Sequence, residues 1–105
     1  MTRLTIDELE ILTPDQLRKI LFYEISKYSP DVMYIQDLLD VGCPLNRPFI
    51  FWIPLHCAAH LNKIEVVKFL ISRGADIHAR DNFGNTAFDQ ADNRIKKSCP
   101  ELKPK

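Results

Sequence analysis

The sequence predicts an all-α fold, a short solenoid of stacked helix-turn-helix units joined by hairpin loops. Helix-start signals recur along the chain, and the apolar residues behind each one step by three and four. The pattern also returns after 32 or 33 residues. Leu38-Leu39-Asp40-Val41-Gly42 matches Leu70-Ile71-Ser72-Arg73-Gly74, while Phe22, Ile25 and Ser26 match Leu55, Ala58 and Ala59 and then Phe88, Ala91 and Asp92. A period of that length with two short helices per unit describes a stack in which each unit buries its apolar face only against its neighbours.

The elements follow in order. A Thr5-x-x-Glu8 capping box predicts a short helix near Thr5–Glu10, within an N-terminal capping segment 1–12 that folds over the first unit. Thr13-Pro14-Asp15-Gln16 combines a hydroxyl cap, a proline at the first helical position and a box glutamine, so a helix begins at Pro14. Its buried stripe is Leu17, Ile20, Leu21, Ile25 and Tyr28. Ser29-Pro30-Asp31 ends that helix and starts the next, which carries Met33, Ile35, Leu38 and Leu39 inward and closes at Gly42. Pro54 opens a third helix through Leu55, Ala58 and Ala59, ending where Asn62 can take positive φ. A fourth runs from about Ile64 to Arg73 with Ile64, Val67, Leu70 and Ile71 apolar, and stops at Gly74. Thr86 starts the last unit, but Ser98-Cys99-Pro100 breaks the chain soon after Ile95. The expected result is an incomplete final unit that leaves parts of Val66, Phe69 and Leu70 uncovered, followed by a basic tail, 98–105.

The run Ile53-Pro54-Leu55-His56-Cys57-Ala58-Ala59, followed by Val66-Val67-Lys68-Phe69-Leu70-Ile71-Ser72-Arg73-Gly74-Ala75-Asp76 and by Asp81-Asn82-Phe83-Gly84-Asn85-Thr86, closely resembles the ankyrin repeat. The resemblance covers about 48–80 as one nearly complete repeat, 81–97 as a truncated one and, loosely, 14–47 as a degenerate first repeat, all within one domain, 13–97. It implies a non-catalytic module that binds a protein partner through hairpin tips and first-helix faces. The chain departs from the family in placing Ile53 where a threonine normally caps the helix and bonds the imidazole of His56, which weakens that helix start by ~1 kcal/mol. It departs again where Arg47-Pro48-Phe49-Ile50-Phe51-Trp52 replaces the Asp-x-x-Gly turn. The resemblance also makes Asn46 and His78 equivalent positions, four residues after each glycine, which are hydroxylated in some members of the family.

Candidate contact residues divide into two groups. The aromatic hairpin supplies Phe49, Phe51 and Trp52, read either as an exposed contact or as filling for a local gap, and the next tip supplies Asn82 and Phe83. First-helix faces supply Cys57, His60 and Leu61, then Gln90, Asn93 and Arg94 one unit later. A second reading of the chain is a small structural subunit or assembly factor, self-associating or docking through the aromatic hairpin and the uncapped C-terminal end. That end also makes a homo-oligomer an expected partner state.

Chemistry and compartment are read as follows. His56, Cys57 and His60 fall near one another on a helix, but no carboxylate or second cysteine is placed to complete a metal shell, so no metal and no cofactor is assigned. Adjacent helical residues point about 100° apart, which keeps the Cys57 thiol from the His56 imidazole. With no phosphate loop or nucleophile elbow, the chain is read as not an enzyme. Fourteen basic and fourteen acidic residues cancel, which disfavours nucleic acid as partner. The balance is uneven, with five Lys/Arg against eight Asp/Glu in 1–47 and nine against six in 48–105. Three widely spaced cysteines and the absence of a long apolar run point to an intracellular, cytoplasmic protein that does not insert into membranes.

Overall fold

Local capping chemistry decides where each helix begins. The computed structural model describes residues 4–46 and 53–103, which contain seven α-helices and no strand. In α1 (Ile6–Glu10) and α2 (Pro14–Ser26), the Thr5 and Thr13 hydroxyls accept from the amides of Glu8 and Gln16 at 3.3 and 3.2 Å, and the Glu8 and Gln16 side chains accept from the threonine amides in return. Asp31 caps α3 (Val32–Asp40) by accepting from Met33 N at 2.9 Å. The starts of α4 (Pro54–His60) and α5 (Ile64–Ser72) have no side-chain cap. Threonine returns at α6 (Ala87–Gln90), where Thr86 and Asp89 form a reciprocal box, and Asp92 caps α7 (Asn93–Ser98). A 3-10 turn, Pro100–Leu102, follows.

The ends of α3 and α5 close alike. Gly42 N and Cys43 N donate to Leu39 O and Leu38 O, and 32 residues on Gly74 N and Ala75 N donate to Ile71 O and Leu70 O, all at 3.0 Å. Both glycines hold positive φ, 103° and 94°, as this closure requires. Asn62 ends α4 with φ 62° and the same bonding, since Lys63 N reaches Ala58 O at 2.9 Å. The matched ends mark α2–α3 and α4–α5 as equivalent hairpins.

Side by side, α2, α4 and α6 form one layer, while α3 and α5 form a second and α1 rests on α3. The stack measures 38 × 25 × 20 Å. Alanine at 58, 59 and 87 lets α4 and α6 approach closely, and all three are completely buried. Leu21 and Ile25 from α2, Ile35 and Leu38 from α3, Leu55 from α4 and Leu70 from α5 fill the space between layers. Glu24 is buried beside them. Its carboxylate accepts from Asp31 N at 2.9 Å and pairs with Lys27 at 3.0 Å, tying the end of α2 to the start of α3.

Four expectations need correction. Tyr28 lies past the end of α2 and is fully exposed, because Lys27 is already extended, with ψ 155°, and turns the chain away from the stripe. Met33 is 69% exposed, since it sits two residues, or about 200°, from buried Ile35. Tyr34 takes the inward place, and its hydroxyl accepts from Leu4 N at 3.3 Å. The final unit does have a second helix, α7, and the C-terminal end is covered. Ile95 on α7, Cys99 at its end and Leu102 in the 3-10 turn are completely buried, and Val66 and Leu70 are buried in the same core. The segment read as a free basic tail therefore contributes to the core through Cys99 and Leu102, and the physical reason for self-association through an open end is removed.

Candidate functional site

Loops on one edge of the stack are bonded to one another across units. Lys63 Nζ, between α4 and α5, donates to Tyr28 O between α2 and α3 at 3.4 Å. Asn62 Nδ2 donates to Asp92 Oδ2, between α6 and α7, at 2.7 Å. The three loops thus stand in register, and the 33-residue offset that relates Ile25, Ala58 and Ala91 also relates Tyr28, Leu61 and Arg94. All three are exposed, as are His60 and Asn93 one position earlier. A row of side chains from successive units faces solvent along this edge.

The predicted contact residues fall unequally. His60, Leu61, Asn82, Phe83, Asn93 and Arg94 are on the surface, and Phe83 is 79% exposed. Cys57 is not: it is buried, and burial pushes its thiol up to about 11, so it leaves the contact set. Cys43 is likewise buried and raised to about 12, an effect that Arg18 opposes. Gln90 is half-buried and donates from Nε2 to Asp81 Oδ2 at 2.9 Å, which makes it a support for the tip. Phe49, Phe51 and Trp52 lie outside the described residues. Tyr28, exposed on the same row, was missed, although subtracting one period from Leu61 reaches it.

The tip that presents Asn82 and Phe83 is built on one carboxylate. Asp81 Oδ1 accepts from Phe83 N at 2.9 Å and Asn85 N at 3.0 Å, while Gly84 turns with φ 81° and Asp81 N donates to Asn85 O. Burial works to raise the Asp81 carboxyl, but the Asn85 and Phe83 amides and the Gln90 side chain outweigh it and hold it below the usual range. Below the tip, His56 is completely buried and its Nε2 lies 2.9 Å from Asn85 O; a carbonyl only accepts, so Nε2 carries the hydrogen. Nδ1 has no partner among the described residues.

The equivalent turn positions also differ in role. Asn46 accepts from Asp76 N at 2.8 Å and donates to Gly74 O at 3.4 Å, so it fastens one unit to the next. His78 is exposed, with its backbone amide on Asp76 Oδ1. Among the described residues, no group of three or more His, Cys, Asp or Glu side chains stands close enough to share a metal ion, and no helix is long and apolar enough to cross a membrane.

Comparison with known proteins places this geometry. The ankyrin repeat family model matches residues 52–82. Over 69 residues, 65% of the chain, the sequence is 36% identical to mouse protein phosphatase 1 regulatory subunit 12A, and it covers 7% of that protein. It is 38% identical over 60 residues, 55% of the chain, to mouse 2-5A-dependent ribonuclease, covering 8% of it. A third relative, ankyrin repeat, SAM and basic leucine zipper domain-containing protein 1 of Notamacropus eugenii, is 39% identical over 49 residues, 46% of the chain and 10% of that protein. The chain therefore spans about a tenth or less of the length of these relatives.

Proposed function

We propose that the chain, whose residues 52–82 match the ankyrin repeat family model, is a non-catalytic interaction module that binds a protein partner through the loop row Tyr28, His60, Leu61, Asn93 and Arg94 together with the tip at Asn82 and Phe83. The observation that carries this reading is the bonding of successive loops, Lys63 to Tyr28 and Asn62 to Asp92, which holds exposed apolar and polar groups from three units in a fixed line. Surface tyrosine, leucine and phenylalanine on a rigid frame lose little conformational freedom when covered. The reading extends to Phe49, Phe51 and Trp52 as further contacts on the neighbouring hairpin.

Affinity capture with the intact chain tests it, compared with a Leu61→Asp/Phe83→Ser variant and a Phe49→Ser/Phe51→Ser variant whose helical circular dichroism is first checked. The expected result is a discrete set of proteins retained by the unmodified chain and lost from the first variant. An identical set from both would overturn the loop row as the binding surface.

A further inference from the structure

The C-terminal turn that covers the end of the stack also builds a cleft. Leu102 is completely buried, and this anchor brings Lys103 back to the arm that leaves α5, so that Lys103, His78, Arg80, Phe88, Thr86 and Asp89 line an open cleft of about 440 Å³. Lys96, outside the lining itself, stands over the Phe88 ring at 4.8 Å and adds a further ammonium beside the cleft. We propose that this cleft binds an acidic peptide segment, one in which clustered glutamate or aspartate side chains enter among Arg80, Lys96 and Lys103.

Each wall has a part in that recognition. Arg80 is oriented by one bond from Nη1 to Gly84 O at 2.7 Å, and a guanidinium carries five donors, so others remain to meet a carboxylate. The one acid at the cleft, Asp89, is committed to its own helix start: Oδ2 accepts from Thr86 N at 2.9 Å. It offsets only one of three cationic charges. The Phe88 ring offers an apolar floor to the methylenes of a glutamate side chain. The charge is local and the chain as a whole is neutral, so the site lacks the extended positive track that a nucleic-acid backbone needs. None of these residues belongs to the Tyr28–Leu61–Arg94 row, so the proposal stands or falls separately from that reading.

Fluorescence anisotropy with a labelled peptide of alternating glutamate and alanine tests the proposal, beside its glutamine counterpart and a labelled oligouridylate. The glutamate peptide is expected to bind, to weaken at least tenfold between ~20 and ~300 mM salt as Debye screening sets in, and to be indifferent to Leu61→Asp. Lys103→Glu and Arg80→Glu should each weaken it about tenfold or more. Lys19→Glu, the same charge reversal on exposed α2, should change it less than twofold. The Lys103 variant leaves the Arg80–Gly84 bond of the tip in place, so its result is free of any effect on the turn. Absence of glutamate-peptide binding at ~1 mM, equal loss from Lys19→Glu and Lys103→Glu, or tighter binding of the oligouridylate would each overturn the assignment.

Discussion

At the scale of single residues, position 53 shows how one substitution leaves two groups unsatisfied. With isoleucine there, the start of α4 has no side-chain cap and the buried Nδ1 of His56 has no partner among the described residues. A hydroxyl at 53 is expected to serve both. Ile53→Thr should therefore gain about 1 kcal/mol from the cap and lose about as much buried isoleucine surface, leaving stability close to that of the unmodified chain, and chemical denaturation of the two proteins measures it. Ile53→Ala removes the same surface without supplying a hydroxyl, and should be less stable than either. This departure was legible in the sequence because the cap and the histidine lie within one turn of each other. The outward placement of Met33 was not, since Tyr34, a polar-tipped side chain, takes the inward place beside Ile35 and Leu38.

Among the elements, the closing glycines carry a cost that can be isolated. A Cβ added at Gly74 would meet nothing within 4 Å, so Gly74→Ala loses stability only through its positive φ. The expected penalty is about 1 kcal/mol, and Gly74→Asn should recover part of it; thermal unfolding of the three proteins checks both. The final unit has a different sensitivity. The Thr86 amide holds the Asp89 carboxyl below the usual range, as the Asn62 side chain does for Asp92, and Asp81 is lowered in the same unit. Carboxyls depressed by folding stabilise above their unfolded value, about 3.9 for aspartate, and that contribution disappears as pH falls through the lower folded values. As pH falls below about 4 the melting temperature should fall, with amides of α6 and α7 the first to lose protection in hydrogen exchange. Helix starts at Thr5, Thr13 and Thr86 were readable because caps are local. The second helix of the last unit was obscured by Ser98-Cys99-Pro100, which resembles a terminator, although the break falls only after α7 has run from Asn93 to Ser98.

Across the whole molecule, each layer is stable only through its neighbours, and the last neighbour of α5 is the C-terminal turn. Deleting residues 99–105 would remove the buried side chains of Cys99 and Leu102 from the core they share with Ile95, Val66 and Leu70. The loss should be about 3 kcal/mol, and such a chain should oligomerise in analytical ultracentrifugation while the full chain does not. The 33-residue period was legible at this scale because every unit repeats the same burial. The charge asymmetry was also visible, but the cleft it supplies was not, because His78 and Lys103 meet only when the chain end folds back.

The bonded loops set a length as well as a surface. Packed helices stand about 10 Å apart, so Tyr28, Leu61 and Arg94 mark off the edge in equal strides of that size. A polyproline-II ligand, with three residues per turn and ~3.1 Å rise per residue, would meet these marks with every third side chain, and a helical one, at ~1.5 Å per residue, with every seventh. Under the proposed binding along this edge, the row becomes a ruler whose graduations discriminate among ligands by the periodicity of their own sequence.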